Sequence, residues 1–149
     1  MIRIIHPLAG AVALITITIF WWSTVLSELF GSEPTVIAVK TSIPWGFLVL
    51  IPALAAVGGS GFTLAKGRRS GLVAGKIKRM PFIAANGILV LIPAALILAQ
   101  KAAHAEFDGF FYVVQGLELA AGAANITLLG LNMRDGMKMR RGRLCQAGR

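Results

Sequence analysis

Acidic residues are scarce in this chain: six Asp and Glu stand against fifteen Lys and Arg. Charge of either sign is scarce as well, at 14% of 149 residues, where a soluble domain carries about a quarter. Too little charge is present to cover a sizeable water-facing surface. The one cysteine, Cys145, excludes an internal disulfide and a Cys-x-x-Cys-His haem attachment. Histidine occurs twice, at His6 and His104, and neither falls in a metal-ligating spacing with the few acids. There is no Ser-His-acid set in one plausible layer and no helix-opening glycine loop to cradle a phosphate. No catalytic constellation is left, so the expected class is non-enzymatic.

What the chain does have is apolar sequence, 56% of its residues. It lies in four stretches, about 4–29, 43–65, 81–99 and 110–131. Each is close to the ~20 residues that cross a bilayer core as a helix. In lipid every backbone polar group needs an internal partner, so only helices or a closed barrel can span. Barrel strands would alternate polar and apolar residues, and the run from Gly87 through Leu98 does not. The expected fold is therefore all-α: an integral membrane protein, one domain over 1–149. Short connectors make successive helices antiparallel neighbours, an up-down-up-down four-helix transmembrane bundle.

The basic residues give the expected orientation. Arg3, six residues in the connector 66–79 and six in the tail 132–149 fall on one side of a four-span chain. Only Lys40 and Lys101 fall in the connectors assigned to the other side. The positive-inside rule then puts both termini in the cytoplasm, N-in and C-in, as in a bacterial inner membrane protein. Topology signalling accounts for the basic charge without nucleic acid. The same clusters are expected to meet anionic lipid headgroups at the cytoplasmic face. The first apolar stretch is too long for a signal peptide and no small-x-small site follows it, so a retained helix is expected. Four spans enclose little inward surface, and a homo-oligomer or a place in a larger membrane complex is expected.

Within the stretches, local signals mark turns and kinks. His6-Pro7 opens the first helix, where Pro suits the first turn. Trp21-Trp22 suits an outer-interface anchor. The sequence 35–41 reads as a surface segment before Pro44-Trp45 opens the second helix, and Pro52 and Pro93 should kink the second and third. Gln115, Glu118, Gly122, Asn125 and Asn132 recur at helical spacing and form one polar stripe on the fourth helix. Asn86, Pro93 and Gln100 form another on the third. Counted at ~1.5 Å per residue, Asn86 and Asn125 share a depth, so the two stripes are expected to meet each other or a neighbouring helix. A carboxylate at this depth is costly and should face the bundle interior. Asn86, Gln115, Glu118 and Asn125 are thus the candidate intramembrane polar site. They would serve either as packing contacts or as a proton or transport pathway.

Membrane four-helix bundles also hold haem b on imidazole ligands. His6 and His104 lie a full bilayer apart, ~30 Å, so one protomer cannot use both. A haem b at the cytoplasmic end would take His6 as the metal ligand, with Met80 or Met133, or His6 from each of two protomers. Ala9, Ala13 and Thr16 share the His6 face and are small enough to admit a macrocycle. This is the sharpest form of the expected class, a haem-binding electron-transfer protein.

Two families resemble the chain in part. Small multidrug transporters have four short helices with an essential acid in the first; here the comparable acid, Glu118, is in the fourth, and the charge asymmetry opposes dual insertion. Glutathione-dependent membrane enzymes of eicosanoid metabolism carry Glu-Arg and then an amide seven residues after the Arg. Arg79 and Asn86 resemble the latter part of that signature, which implies glutathione contacts at those two residues. Lys78 replaces the Glu, Pro81 intrudes, and the match lies on helix three instead of helix two.

Overall fold

The computed structural model describes residues 2–65 and 72–147. The opening of the basic connector, 66–71, lies outside the described residues. The elements are α1 (Ile2–Phe30), α2 (Glu33–Ala65), α3 (Leu72–Asn86), a π-helical turn (Gly87–Leu91), α4 (Ile92–Ala103) and α5 (Gly109–Ala147). Four helical segments are long and apolar enough to cross a membrane: Ile4–Phe30, Glu33–Leu64, Lys78–Ala103 and Gly109–Lys138. α1 packs on α2 and α5, α2 on α4, and α4 on α5, which closes an antiparallel ring. The turns at 31–32 and 104–108 form its hairpin end, and α3 starts from the other, basic end.

The surface is inverted relative to a soluble protein. On α1, Ile5, Leu8, Val12, Ile15, Ile19, Trp22, Leu26 and Leu29 are all exposed, in alternating steps of three and four that trace one helical face. Thr24, Ser27, Lys40, Gln115, Asn125, Asn132 and Asp135 are buried instead. On α2 the inward residues Val36, Lys40, Ile43, Leu50 and Val57 follow the seam spacing of helices that cross at a shallow angle. Two apolar clusters result. Val36, Ala94, Leu98, Ala102, Phe111 and Val114 fill the hairpin end. Ala13, Ile17, Leu50, Ala53, Ile83 and Leu129 fill the half toward the basic end.

Three departures from the sequence reading have local causes. α2 begins at Glu33, so 35–41 is helix and not a surface segment. Ser32 accepts the Thr35 and Val36 amide protons on its carbonyl at 2.9 and 3.1 Å, Glu33 suits the positive helix start, and Pro34 needs no amide partner there. The third span widens at Gly87–Leu91, where the Ile92 N–H bonds the Gly87 carbonyl. Pro93 cannot donate to Leu89, and the wide turn absorbs the loss. α5 runs on to Ala147, about 58 Å at 1.5 Å per residue. Arg79 Nη1 pairs with Asp135 Oδ2 at 2.8 Å and ties α5 to α3 past the expected end at 131. At the hairpin end Asp108 caps α5 through the Phe111 N–H at 2.8 Å. That bond and the Lys101 ammonium hold the Asp108 carboxyl below its usual range.

The close approach of α1 and α2 depends on Gly46, because a Cβ there would collide with the Phe20 ring. Gly46→Leu should therefore lower stability by about 1–3 kcal/mol, measured as thermal unfolding in mild detergent. An unchanged melting temperature would show that α1 and α2 do not meet at this register.

Candidate functional site

Burial of a lysine is the unexpected feature of the bundle. Lys40 lies two turns into α2, on the inward seam, and is 1% exposed. Its Nζ donates to Glu118 Oε2 of α5 at 2.7 Å, with Glu118 only 12% exposed. An isolated charge in such a place would cost far more than a helix contact returns, so each group needs the other. Lys40 Nζ also lies 3.5 Å from Thr24 Oγ1 of α1. Thr24 is 2% exposed, and its carbonyl accepts the Ser27 hydroxyl at 3.0 Å. Glu28, one turn further along α1, is half-buried. Three helices thus contribute to the surroundings of the pair: α1 with Thr24, α2 with Lys40 and α5 with Glu118.

Gln115 shares a face with Glu118, three residues before it, and is buried. Among the described residues, Gln115 Oε1, Gln115 Nε2 and Glu28 Oε1 are the buried side-chain polar atoms without a hydrogen-bond partner. A cavity of about 50 Å³ adjoins the pair, lined by Thr24 and Glu118 at one end and by Phe20, Trp21, Phe47 and Gly122 beyond. Trp21 does not stand out as an interface anchor: its Nε1 donates inward to the Leu119 carbonyl at 3.0 Å. Gly122 makes room for it, since a Cβ would sit 3.0 Å from Trp21 Cδ1. Trp22 takes the exposed position.

Two turns deeper along α5, Asn86 and Asn125 meet as the depth count predicts. Asn86 Nδ2 donates to Asn125 Oδ1 and to the Ala121 carbonyl, both at 2.9 Å. Asn125 Nδ2 returns a bond to the Ile83 carbonyl at 3.3 Å. The two amides clasp the third span to α5 just before the π turn. Below them Ile83 and Leu129 are buried in apolar contact. Asn132 and the Arg79–Asp135 pair then complete the stripe at the basic end.

The haem candidates are placed differently. His6 Nδ1 lies 2.9 Å from Ser60 Oγ of α2. Ala13, on the face expected to admit a macrocycle, is fully buried against α2 in the apolar cluster. Met80 packs on that cluster and accepts a bond from Asn132 Nδ2 at 3.6 Å, whereas Met133 is exposed. No group of three or more His, Cys, Asp or Glu among the described residues could hold a metal ion. Arg79 and Asn86, the glutathione candidates, are engaged with Asp135 and with Asn125 and Ala121. Comparison with protein-family models, curated proteins and solved structures finds no match.

Sequence reasoning placed Glu118, Gln115, Asn86 and Asn125 inside the bundle but left Glu118 without a basic partner in the membrane. The structure corrects this: Lys40 is that partner. The missed signal was Ser32-Glu33-Pro34, a helix start that carries Lys40 into the second span.

Breaking the pair from one side should cost more than removing it. Lys40→Met should lower stability by about 3–5 kcal/mol, whereas Lys40→Met with Glu118→Leu should recover most of the loss. Thermal unfolding of the three proteins in detergent measures this. A double variant as unstable as Lys40→Met would contradict a mutual charge pairing.

Proposed function

We propose that this chain is a small membrane transport protein in which Glu118 is the group that takes up and releases a monovalent cation, with Lys40 as its resting counter-ion. The observation that carries the reading is the 2.7 Å ion pair between two spans. Ionisable residues at such positions are expensive, and in membrane proteins they commonly mark ion or proton pathways. A pair kept only for packing would leave no reason for a second carboxylate, Glu28, or for an amide with no partner, Gln115. A cavity of about 50 Å³ borders Glu118 within the bundle, so the carboxylate has space beside it as well as a partner.

The setting belongs to the same proposal. The protein lies in a bacterial inner membrane with both termini in the cytoplasm, its exposed apolar faces in lipid. Lys78, Arg134 and Lys138 are exposed at the basic end, where they meet anionic headgroups. It works as a homo-oligomer or within a larger membrane complex. The haem b reading, with His6, Met80 and Met133, draws no support of its own from this geometry. The same holds for glutathione at Arg79 and Asn86.

Flux into proteoliposomes tests the proposal, with protons followed by an enclosed pH dye and labelled tetramethylammonium followed in parallel. Wild-type protein should carry at least one of them in a pH-dependent manner. Glu118→Gln should reduce that flux to the level of protein-free vesicles. Equal flux in wild type and variant would overturn the role of Glu118.

A further inference from the structure

Trp21 stands between two spaces. On its inner side lies the cavity of about 50 Å³ that Glu118 and Thr24 border, walled otherwise by apolar residues such as Phe20, Phe47 and Leu91. On its outer side lies a groove of about 190 Å³ between α1 and α5, lined by Thr18, Trp21, Trp22, Ala123, Ile126 and Thr127. Trp22 and Thr127 are exposed there, and both helices are spanning segments at this level, so the groove opens on lipid. Trp21 is the residue that lines both spaces.

The indole is placed like a door. Its Nε1 donates to the Leu119 carbonyl at 3.0 Å, which latches the ring to α5. Gly122 presents no side chain against it, where a Cβ would come within 3.0 Å of Cδ1. On the lipid side Trp22 meets it edge-on, with ring centroids 5.2 Å apart. Turning the Trp21 ring aside breaks one hydrogen bond and joins the groove to the cavity beside Glu118.

The two linings decide what could pass. In the groove, the Thr18 and Thr127 hydroxyls donate to the Leu14 and Ala123 carbonyls of their own helices, at 2.7 and 2.8 Å. Indole and aliphatic surface make up the rest. Nothing there replaces the water shell of an inorganic ion, whose desolvation is prohibitive. The inner cavity differs, because it pairs the Glu118 carboxylate with the rings of Phe20, Trp21 and Phe47. A carboxylate among aromatic rings suits an organic cation, which the ring faces also attract. The space equals that of about four waters, enough for a small ammonium head and not for a bulky body.

We propose that Trp21 is a side gate through which Glu118 is loaded from the bilayer, between α1 and α5, with an organic ammonium ion that carries an apolar body. The inference rests on the transport reading of Glu118 given above and names its cargo and its entry. The apolar body lies in the groove and in lipid. The head passes Trp21 and competes with the Lys40 ammonium for the Glu118 carboxylate.

The test uses the full chain in proteoliposomes with an inside-negative potassium diffusion potential. It follows labelled tetramethylammonium, labelled hexyltrimethylammonium and an enclosed pH dye. Hexyltrimethylammonium uptake should depend on Glu118 and half-saturate at about tenfold lower concentration than tetramethylammonium, through burial of its chain. Ala123→Phe, which fills the groove, should bring that uptake near the level of protein-free vesicles at an unchanged melting temperature. Ala120→Phe, on exposed α5 surface outside the groove, should leave it as in wild type. A binding measurement separates a blocked entry from damaged transport. With Trp22→Phe and Trp45→Phe, Trp21 is the one indole left, and hexyltrimethylammonium brominated at its chain end should quench its fluorescence saturably, with the effect lost in Ala123→Phe. Uptake by Ala123→Phe equal to wild type would overturn entry between α1 and α5. Equal half-saturation by the two ammonium ions would overturn the apolar-body assignment. Glu118-dependent flux of protons alone would overturn this inference and leave the transport reading in place, whereas no Glu118-dependent flux of any of the three would overturn both.

Discussion

An ammonium and a carboxylate taken from water each lose solvation worth several kcal/mol, and only close contact with good geometry returns it. Lys40 and Glu118 meet that condition at 2.7 Å, and much of the bundle follows from it. The contact joins α2 to α5 across the middle of the ring, where the two helices do not pack on each other directly. It draws in α1, whose Thr24 approaches Lys40 and whose Trp21 bonds the backbone of α5 one residue beyond Glu118. Small residues allow the approach: Gly46 beneath Phe20 and Gly122 beneath Trp21. A larger side chain at either position would separate helices that the ion pair needs together.

The amide clasp deeper in the bundle obeys the same rule at lower stakes. Amides buried in lipid must find partners, and each such contact contributes about 0.6 kcal/mol on average. Asn86 and Asn125 satisfy each other and two backbone carbonyls. The clasp therefore fixes the rotation of the third span at the place where Pro93 forces a wide turn. Polar groups on α5 form a line from Gln115 to Asp135, interrupted by the apolar contact of Leu129 with Ile83. The line has an ion pair toward the hairpin end, the amide clasp in the middle and the Arg79–Asp135 pair at the basic end.

The spans and the polar stripe of the fourth helix were legible in the sequence, because apolar length and helical spacing depend only on residue order. The meeting of Asn86 with Asn125 was legible too, since counting residues from the ends gives depth. The ion pair was not. Pro44-Trp45 resembles a helix start closely enough to obscure Ser32-Glu33-Pro34, and that choice left Lys40 in a connector. Gln115 was placed on the correct face, but its lack of a partner depends on what surrounds it in three dimensions. The His6 face shows the reverse failure. Its small residues suggested space for a cofactor, and in the fold Ala13 closes against α2.

The central claim is that Lys40 and Glu118 touch inside the bundle in a lipid membrane. Solid-state nuclear magnetic resonance tests it directly, on protein in bilayers with 15N in the lysine side chains and 13C in the glutamate carboxyls. Dipolar recoupling should show a lysine nitrogen in direct contact with a glutamate carboxyl carbon, and the signal should vanish in both Lys40→Met and Glu118→Gln. Absence of any Lys40-dependent coupling in the folded wild-type protein would contradict the account at its base.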